Sequence, residues 1–431
     1  KAAMAMLAKA YLQRTRLNEP EAKEWAKLAL ETAESLINNA STHGIALWTS
    51  TADKSGYAQL WDGDNNKGNK EFIFVEANDE DGGVNPDGFN RGRTRQYYLM
   101  DLKTVGAHWG TTEKNCAWYG RANDRGFRPT KYLLTEIFEP VKDPADTRFE
   151  NTFFTEYYCT KNWGDVDFTI SQSVVDLFKK DQSLVGRAIK NTFLTYTKGE
   201  TFYGRTSYYG VNAGGNINLE DNDGDGYVDG LSVFTPNYPI DAATKAKLPF
   251  LCVDPSDMYD AQGKWVTATT GKDGMGTYYK DVYPSMNKFS SLRWIKDNQK
   301  WLGDVPIIRL GEIYLVAAEA ALRYNDDKAT ALKYVQPLRN RAAVTGRQAE
   351  MAVSQADMTL DFILAERARE LAGEQVRWYD LKRFGKLTNA YLGQTNPDII
   401  AFDEDKHQVR PIPQSYLDAI ANPAEFGNNG Y

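Results

Sequence analysis

Apolar and small residues recur at spacings of three and four across residues 307–322 (IIRLGEIYLVAAEAAL), which places Leu310, Ile313, Ala317 and Ala320 on one face of a helix. Ala317, Ala318, Ala320 and Ala321 are small enough for a second helix to approach closely. Residues 329–344 (ATALKYVQPLRNRAAV) supply it after the turn Tyr324-Asn325-Asp326-Asp327, and the two read as an antiparallel hairpin with a shared seam. A second pair reads from the other end of the chain, at 2–15 and 21–38, with Trp25, Leu28, Leu30, Ala33 and Leu36 on its apolar faces. Small residues near Ala8 and Ala10 suit a tetratricopeptide-like hairpin, although the repeat is loosely kept. From about residue 44 to 302 the pattern changes. Short strand-like runs such as 71–75 alternate with Gly, Asn, Asp and Pro clusters, and short helices are expected at 130–138 and 173–180. The expected fold is mainly α: a tetratricopeptide-like scaffold split between residues 1–43 and 303–431, holding a large loop-rich insertion with short strands at 44–302. Long irregular segments in a compact protein are usually functional, and their many aromatics argue against disorder.

Residues 360–385 (LDFILAERARELAGEQVRWYDLKRFG) set Glu366, Arg367, Glu370, Arg377, Asp380, Lys382 and Arg383 among Phe362, Leu364, Leu371, Trp378 and Leu381. Charges placed this way on packed helices read as structural ion pairs. Together with Arg309, Glu312, Leu315, Ala318-Glu319-Ala320, Glu374 and Pro411-Ile412-Pro413, these words follow, in order, the pattern of one family. The chain resembles the SusD/RagB-like surface lipoproteins of Gram-negative glycan-uptake systems. It departs at the end, where Asn428-Asn429-Gly430-Tyr431 lacks the family's proline. The resemblance implies a non-catalytic, cell-surface glycan-binding protein. Such a protein captures an oligosaccharide or polysaccharide and delivers it to a SusC-like TonB-dependent transporter, while lipid-anchored on the extracellular face of the outer membrane. It further implies a lipid-modified cysteine and an N-terminal segment before Lys1, where the chain starts within a helix pattern.

Composition narrows the classes. A net charge of −7 disfavours a general nucleic-acid binder. The chain has 431 residues, enough for two intimate subdomains, and no run approaches the length of a membrane span. Cys116, Cys159 and Cys252 lie too far apart for a zinc spacing or a disulfide framework.

Two stretches carry candidate chemistry. Residues 97–121 place Tyr97, Tyr98, Trp109, Trp118 and Tyr119 on apparent loop, with Asp101, Asn115 and Arg121 as candidate hydroxyl partners. Aromatic plates stack on the C–H face of a sugar, and the same rings could instead fill a second core beneath the loops. The resemblance places a glycan-contacting aromatic arc in this region of the chain. Trp61 and Trp163 are lesser candidates, with packing as the alternative. In residues 221–232 (DNDGDGYVDGLS), Asp221, Asp223 and Asp225 alternate, Gly226 takes the sharp-turn position, Tyr227 offers a carbonyl and Asp229 sits ninth. That is the spacing of a Ca2+ loop. Ser232 stands where a bidentate Glu would close the set, and the flanks look extended, so an isolated structural loop is expected. Residues 199–206 (GETFYGRT) come close to a phosphate-binding loop, but no helix follows to build the anion site.

Catalytic motifs are absent from the three histidines His43, His108 and His407, and no GxSxG occurs. Three readings stay open beside glycan capture: a peptide-binding member of the same family, a glycoside hydrolase with two cleft carboxyl groups, and a helical-repeat adaptor.

Overall fold

The structure is a computed structural model that describes residues 1–16, 20–78, 98–100, 108–110, 127–159, 167–191, 201–202, 205–206, 221–267, 282–289 and 302–431. Helices from both ends of the chain form one layer. Numbering only the helices of this layer, α1 (Ala2–Gln13) and α2 (Ala22–Asn38) pair with each other. Both pack on α3 (Leu310–Asn325), which forms a hairpin with α4 (Lys328–Ala342). Then follow α5 (Leu360–Leu371), α6 (Arg377–Arg383) and α7 (Asn389–Thr395). Ala5, Ala8, Ala29 and Ala33 meet Ala317, Ala318 and Ala320 in a fully buried seam, so backbones approach closely with little side-chain entropy lost. Asp326 turns the α3–α4 corner at φ 55°, and the Asp327 side chain caps α4 by accepting from the Thr330 N–H.

Two expected boundaries move, each for a pairing reason. Residues 307–309 are not helical. They belong to the strand Val305–Arg309, whose β-branched run pairs antiparallel with Phe72–Glu76, and the helix starts at Leu310. Residues 343–344 leave α4 to bond with 145–146, where the Val344 N–H donates to the Ala145 carbonyl at 2.8 Å. The expected helix at 130–138 is a wide turn: Leu133–Ile137 is π-helical, closed by Phe138 N–H to Leu133 O at 3.1 Å. Gln172–Phe178 forms the other short helix. Thr201–Phe202 and Arg205–Thr206 pair as strands, in keeping with rejection of a phosphate loop. The tail folds back without the missing proline: Ile412 N–H donates to Asn428 Oδ1 at 2.5 Å and Tyr431 Oη to Val409 O at 3.0 Å.

The middle of the chain builds a second core around a three-stranded sheet, Glu156–Tyr158, Leu231–Phe234 and Leu251–Cys252 in that order, antiparallel then parallel. Cys159 and Cys252 are buried within it. Trp109 belongs to this core as well. It is fully buried, its ring 5.2 Å from Phe178, and Lys180 Nζ lies 5.3 Å from its centroid. Gly110 follows at φ 66°, and a Cβ there would stand 2.5 Å from Phe168 Cβ, so the position calls for glycine. The expectation that Trp109 displays a sugar platform is therefore corrected: the hydrophobic payload of its ring is spent on packing. Trp61 also packs, against Tyr57, Phe72 and Phe289.

Helix α5 stands between the two cores. Ile363, Leu364 and Leu371 face the helical core, while Ala368 and Ala372 face the other. Its charged residues are buried among partners from distant sequence. Glu366 accepts from Arg148 at 2.6 Å, Arg369 at 2.9 Å and Arg339 at 3.2 Å. Glu370 accepts from Arg309 at 2.6 Å and from Arg341. Arg309 continues to Glu71 at 3.1 Å and Glu374 at 2.7 Å, and Arg148 to Asp146 at 2.6 Å. A second cluster joins Glu319 to Arg323 and Arg383, and Asp380 to Arg383 and Arg367. The ion-pair reading of residues 366–383 holds for Glu366, Arg367, Glu370, Asp380 and Arg383, but not for Arg377, which donates to the Leu364 carbonyl and to Tyr391 Oη. Burial alone would raise the Glu370 carboxyl, but Arg341, Arg309 and Arg148 outweigh it and hold it down at about 2. Glu366 is held well below the usual carboxylate range, where Arg148, Arg369 and Arg339 outweigh its burial.

A folded-state pKa below the unfolded one adds stability above the unfolded value, and that stability is lost as pH falls. Glu370 should therefore contribute fully above its ordinary 4.5 and lose that contribution as pH falls toward about 2, which acid titration of the circular dichroism would show. Glu370→Gln leaves buried guanidinium groups uncompensated and should cost about 3–5 kcal/mol in denaturant unfolding at neutral pH. Trp109→Ala opens a cavity in the second core and should cost about 3–5 kcal/mol by the same measurement.

Candidate functional site

The turn after α5 cannot continue the helix. Gly373 adopts φ 79° and Gln375 φ 59°, and a Cβ on Gly373 would stand 2.0 Å from Met286 Sδ. The chain is thereby forced against the strand Ser285–Met286, and Tyr98 Oη donates to the Gly373 carbonyl at 2.8 Å. Burial, with Glu374 nearby, pushes the Tyr98 phenol up to about 12, so it remains a donor at neutral pH. This turn is one wall of a cleft of about 330 Å³ between the helical layer and the second core.

Aromatic rings line both sides of the cleft. Tyr98 and Phe127 lie 5.6 Å apart on one side, and Phe127 is 60% exposed. Tyr132, at the start of the π-helical turn, meets Tyr391 of α7 edge-on at 6.3 Å. Trp378 of α6 is braced by Phe402 at 5.8 Å. Burial, aided by a hydrogen bond to Tyr391, raises the Tyr132 phenol to about 12. Polar residues share the lining with the rings: Arg128, Thr130, Gln375, Arg377, Thr395 and Asn396. Among the described lining residues Asp380 is the sole carboxylate, and Arg367 and Arg383 both clamp it at 2.8 Å. Apolar walls with a few convergent polar groups are the usual composition of a small-ligand site.

Of the expected ligand residues, Tyr98 lines this cleft and Trp109 does not. Tyr97, Asp101, Trp118, Tyr119 and Arg121 lie outside the described residues, as do Asn115 and Trp163. Sequence reasoning missed Tyr132 and Trp378, because each stood inside a helix pattern and read as packing, and it missed Tyr391, which lay in a stretch given no element. The signal that could have found them was the Gly373–Gln375 break, which opens the helix surface beside Trp378.

The acidic loop brings three of its four expected carboxylate ligands together. Carboxylate oxygens of Asp221, Asp223 and Asp225 lie within 4.8 Å of one another, and Gly224 and Gly226 turn at φ 72° and 87°. Asp221 accepts the Gly224 and Gly226 N–H groups at 2.8 and 3.0 Å. Arg187 bridges Asp223 and Asp225 at 2.7 Å each. Asp229 accepts from Asn222, and the Tyr227 ring anchors the loop 4.9 Å from Phe250. The residues fit a hard cation with oxygen ligands, Arg187 being the competing counter-charge.

The geometry can be set beside known proteins. The SusD family model matches residues 70–422. The SusD-like protein P2 of Formosa agariphila is 34% identical over 133 residues, covering 29% of this chain and 25% of the relative. A solved SusD homolog from Bacteroides thetaiotaomicron superposes with a TM-score of 0.54 at 15% identity, covering 99% of this chain and 63% of that one. NanU of B. fragilis aligns with a TM-score of 0.49 at 16% identity, covering 100% of this chain and 63% of that one. The chain thus spans a quarter of the curated relative and under two thirds of these solved structures. The match over most of its length, on a mainly helical fold with short strands, places it: the chain belongs to the SusD family.

Proposed function

We propose that the protein captures an oligosaccharide in the cleft between its two cores and does not cut it. The observation that carries this reading is the set of rings from the two cores that share one cleft, Tyr98 and Tyr132 packed on the second core and Tyr391 and Trp378 on the helical one, with Phe127 beside Tyr98, around a handful of donors. Rings of this kind offer area to a sugar's C–H face at low rotamer cost, while amide, hydroxyl and guanidinium groups bond its hydroxyls. A glycosidase needs two available carboxyl groups flanking the bond. Asp380 is held below the usual carboxylate range, where Arg367 and Arg383 outweigh its burial, so it is poorly suited to donate a proton. In this reading the protein works at the outer face of the outer membrane as a lipid-anchored member of an uptake pair. It passes its cargo to a SusC-like TonB-dependent transporter. Among the described residues no helix is long and apolar enough to cross a membrane.

The acidic loop is proposed to hold Ca2+ through Asp221, Asp223 and Asp225, with Tyr227 and Asp229 completing the set. Its role there is to pin the approach to the strand Leu231–Phe234. Bound Ca2+ supplies charge neutralisation for the clustered carboxylates.

Titration with a glycan and peptide panel should give binding to glycan. Trp378→Ala and Tyr391→Ala should each weaken it about tenfold, or about 1.4 kcal/mol. Binding to peptides alone, or release of shortened product from labelled oligosaccharide, would reject the reading. For the loop, about 10 mM Ca2+ should raise the melting temperature, since extracellular sites bind at ~10⁻⁴–10⁻³ M and ligand in ~10–100-fold excess stabilises by about 1.4–2.7 kcal/mol. Asp221→Asn with Asp225→Asn should abolish the rise, and an unchanged melting curve for the native chain would remove calcium from the account.

A further inference from the structure

The cleft's polar groups are unequal in sign. Its described lining carries three guanidinium groups, Arg128, Arg367 and Arg377, against the single carboxylate of Asp380. That carboxylate is itself shared with Arg383. The imbalance sits in a chain whose net charge is −7, so it is local and opposes the overall field.

Each arginine has donor capacity left over. Arg377 gives its N–H groups to neutral acceptors, the Leu364 carbonyl at 2.8 Å and Tyr391 Oη at 3.2 Å, and these leave its charge uncompensated. Arg367 is 3% exposed and spends Nε on Asp380, while Nη1 is buried with no acceptor among the described residues. It stands in the wall between the cleft and the groove beside α1, and Glu312 is 3.6 Å from its Nη2. Arg128 is at the mouth, stacked 4.3 Å over Trp265, with an exposed ion pair to Asp398 at 3.2 Å. Such a surface pair is weak and exchangeable. A buried guanidinium N–H without an acceptor is costly, and an anion supplies what it lacks. The rings define where a pyranose can lie, and the arginines define the substituent it should carry.

We infer that the cleft selects an anionic oligosaccharide, one bearing carboxylate or sulfate groups, over its neutral counterpart, with Arg128 and Arg377 taking the acid group. The inference rests on the glycan reading given above. Guanidinium groups suit both acids, because they present planar forks of donors and are less strongly hydrated than an ammonium. Charged contacts of this kind weaken as salt rises.

Calorimetric titration of the full chain with oligogalacturonate, a sulfated galactan oligosaccharide and a neutral galacto-oligosaccharide tests it. At least one acidic ligand should bind about tenfold or more tightly than the neutral one, with affinity falling between low and high salt. Arg128→Gln, at the exposed mouth where folding is not at stake, should narrow that preference several-fold by weakening the acidic ligand more than the neutral one. Preference for the uronate or for the sulfated ligand alone supports the inference and identifies the acid group. Equal, salt-insensitive binding of all three overturns it and leaves glycan capture standing. Binding of none of the three overturns this inference, and a silent wider glycan panel would then remove the underlying reading too.

Discussion

Glu366 and Glu370 lie one helical turn apart on α5, and each is buried under guanidinium groups reached from elsewhere in the chain. A lone carboxylate in that position would neutralise itself or draw in water. Here it cannot, because Arg148 comes from the middle of the sequence, Arg309 from the strand before α3, and Arg339 and Arg341 from the end of α4. Each charge is tolerable because the others are present. The lattice thereby fixes α5 between the two cores and sets how far apart they stand.

The cleft inherits its shape from that spacing. Its helical wall begins on the last turn of α5, and the forced turn at Gly373 belongs to the chain segment that carries Glu370 and Glu374. Lys288 reinforces the junction, donating to the Glu370 carbonyl at 3.0 Å and to Glu374 at 2.9 Å. Rings supported this way lose little freedom when a ligand arrives, and rigidity of that kind raises affinity without added contacts. Function is thus coupled to packing through the backbone of one short segment.

Much of this was legible in the sequence where a single periodicity dominated. The alanine-rich faces of α1, α2 and α3, the hairpin turn at Asp326-Asp327, and the charged words of residues 366–383 all declared their partners' character. The ends of α3 and α4 were misplaced because pairing with residues 72–76 and 145–146 is invisible to a local pattern. The binding surface was harder. Trp109 and Trp378 are both tryptophans, yet one is enclosed and the other lines the cleft. What separates them is the long-range placement of Phe178 and Phe402, which no short window reports. The acidic loop was easier, since its geometry is set by neighbours along the chain.

The seam between α2 and α3 joins elements translated far apart. While the ribosome works through the intervening residues, the alanine face of α2 lacks α3, an interval of roughly 15–50 s at ordinary elongation speeds. Such non-local docking is slow by topology, because loop closure must precede any reward from contact. The nascent N-terminal pair therefore presents an adhesive surface for most of synthesis, and holding it apart from other chains falls to whatever accompanies it before α3 emerges.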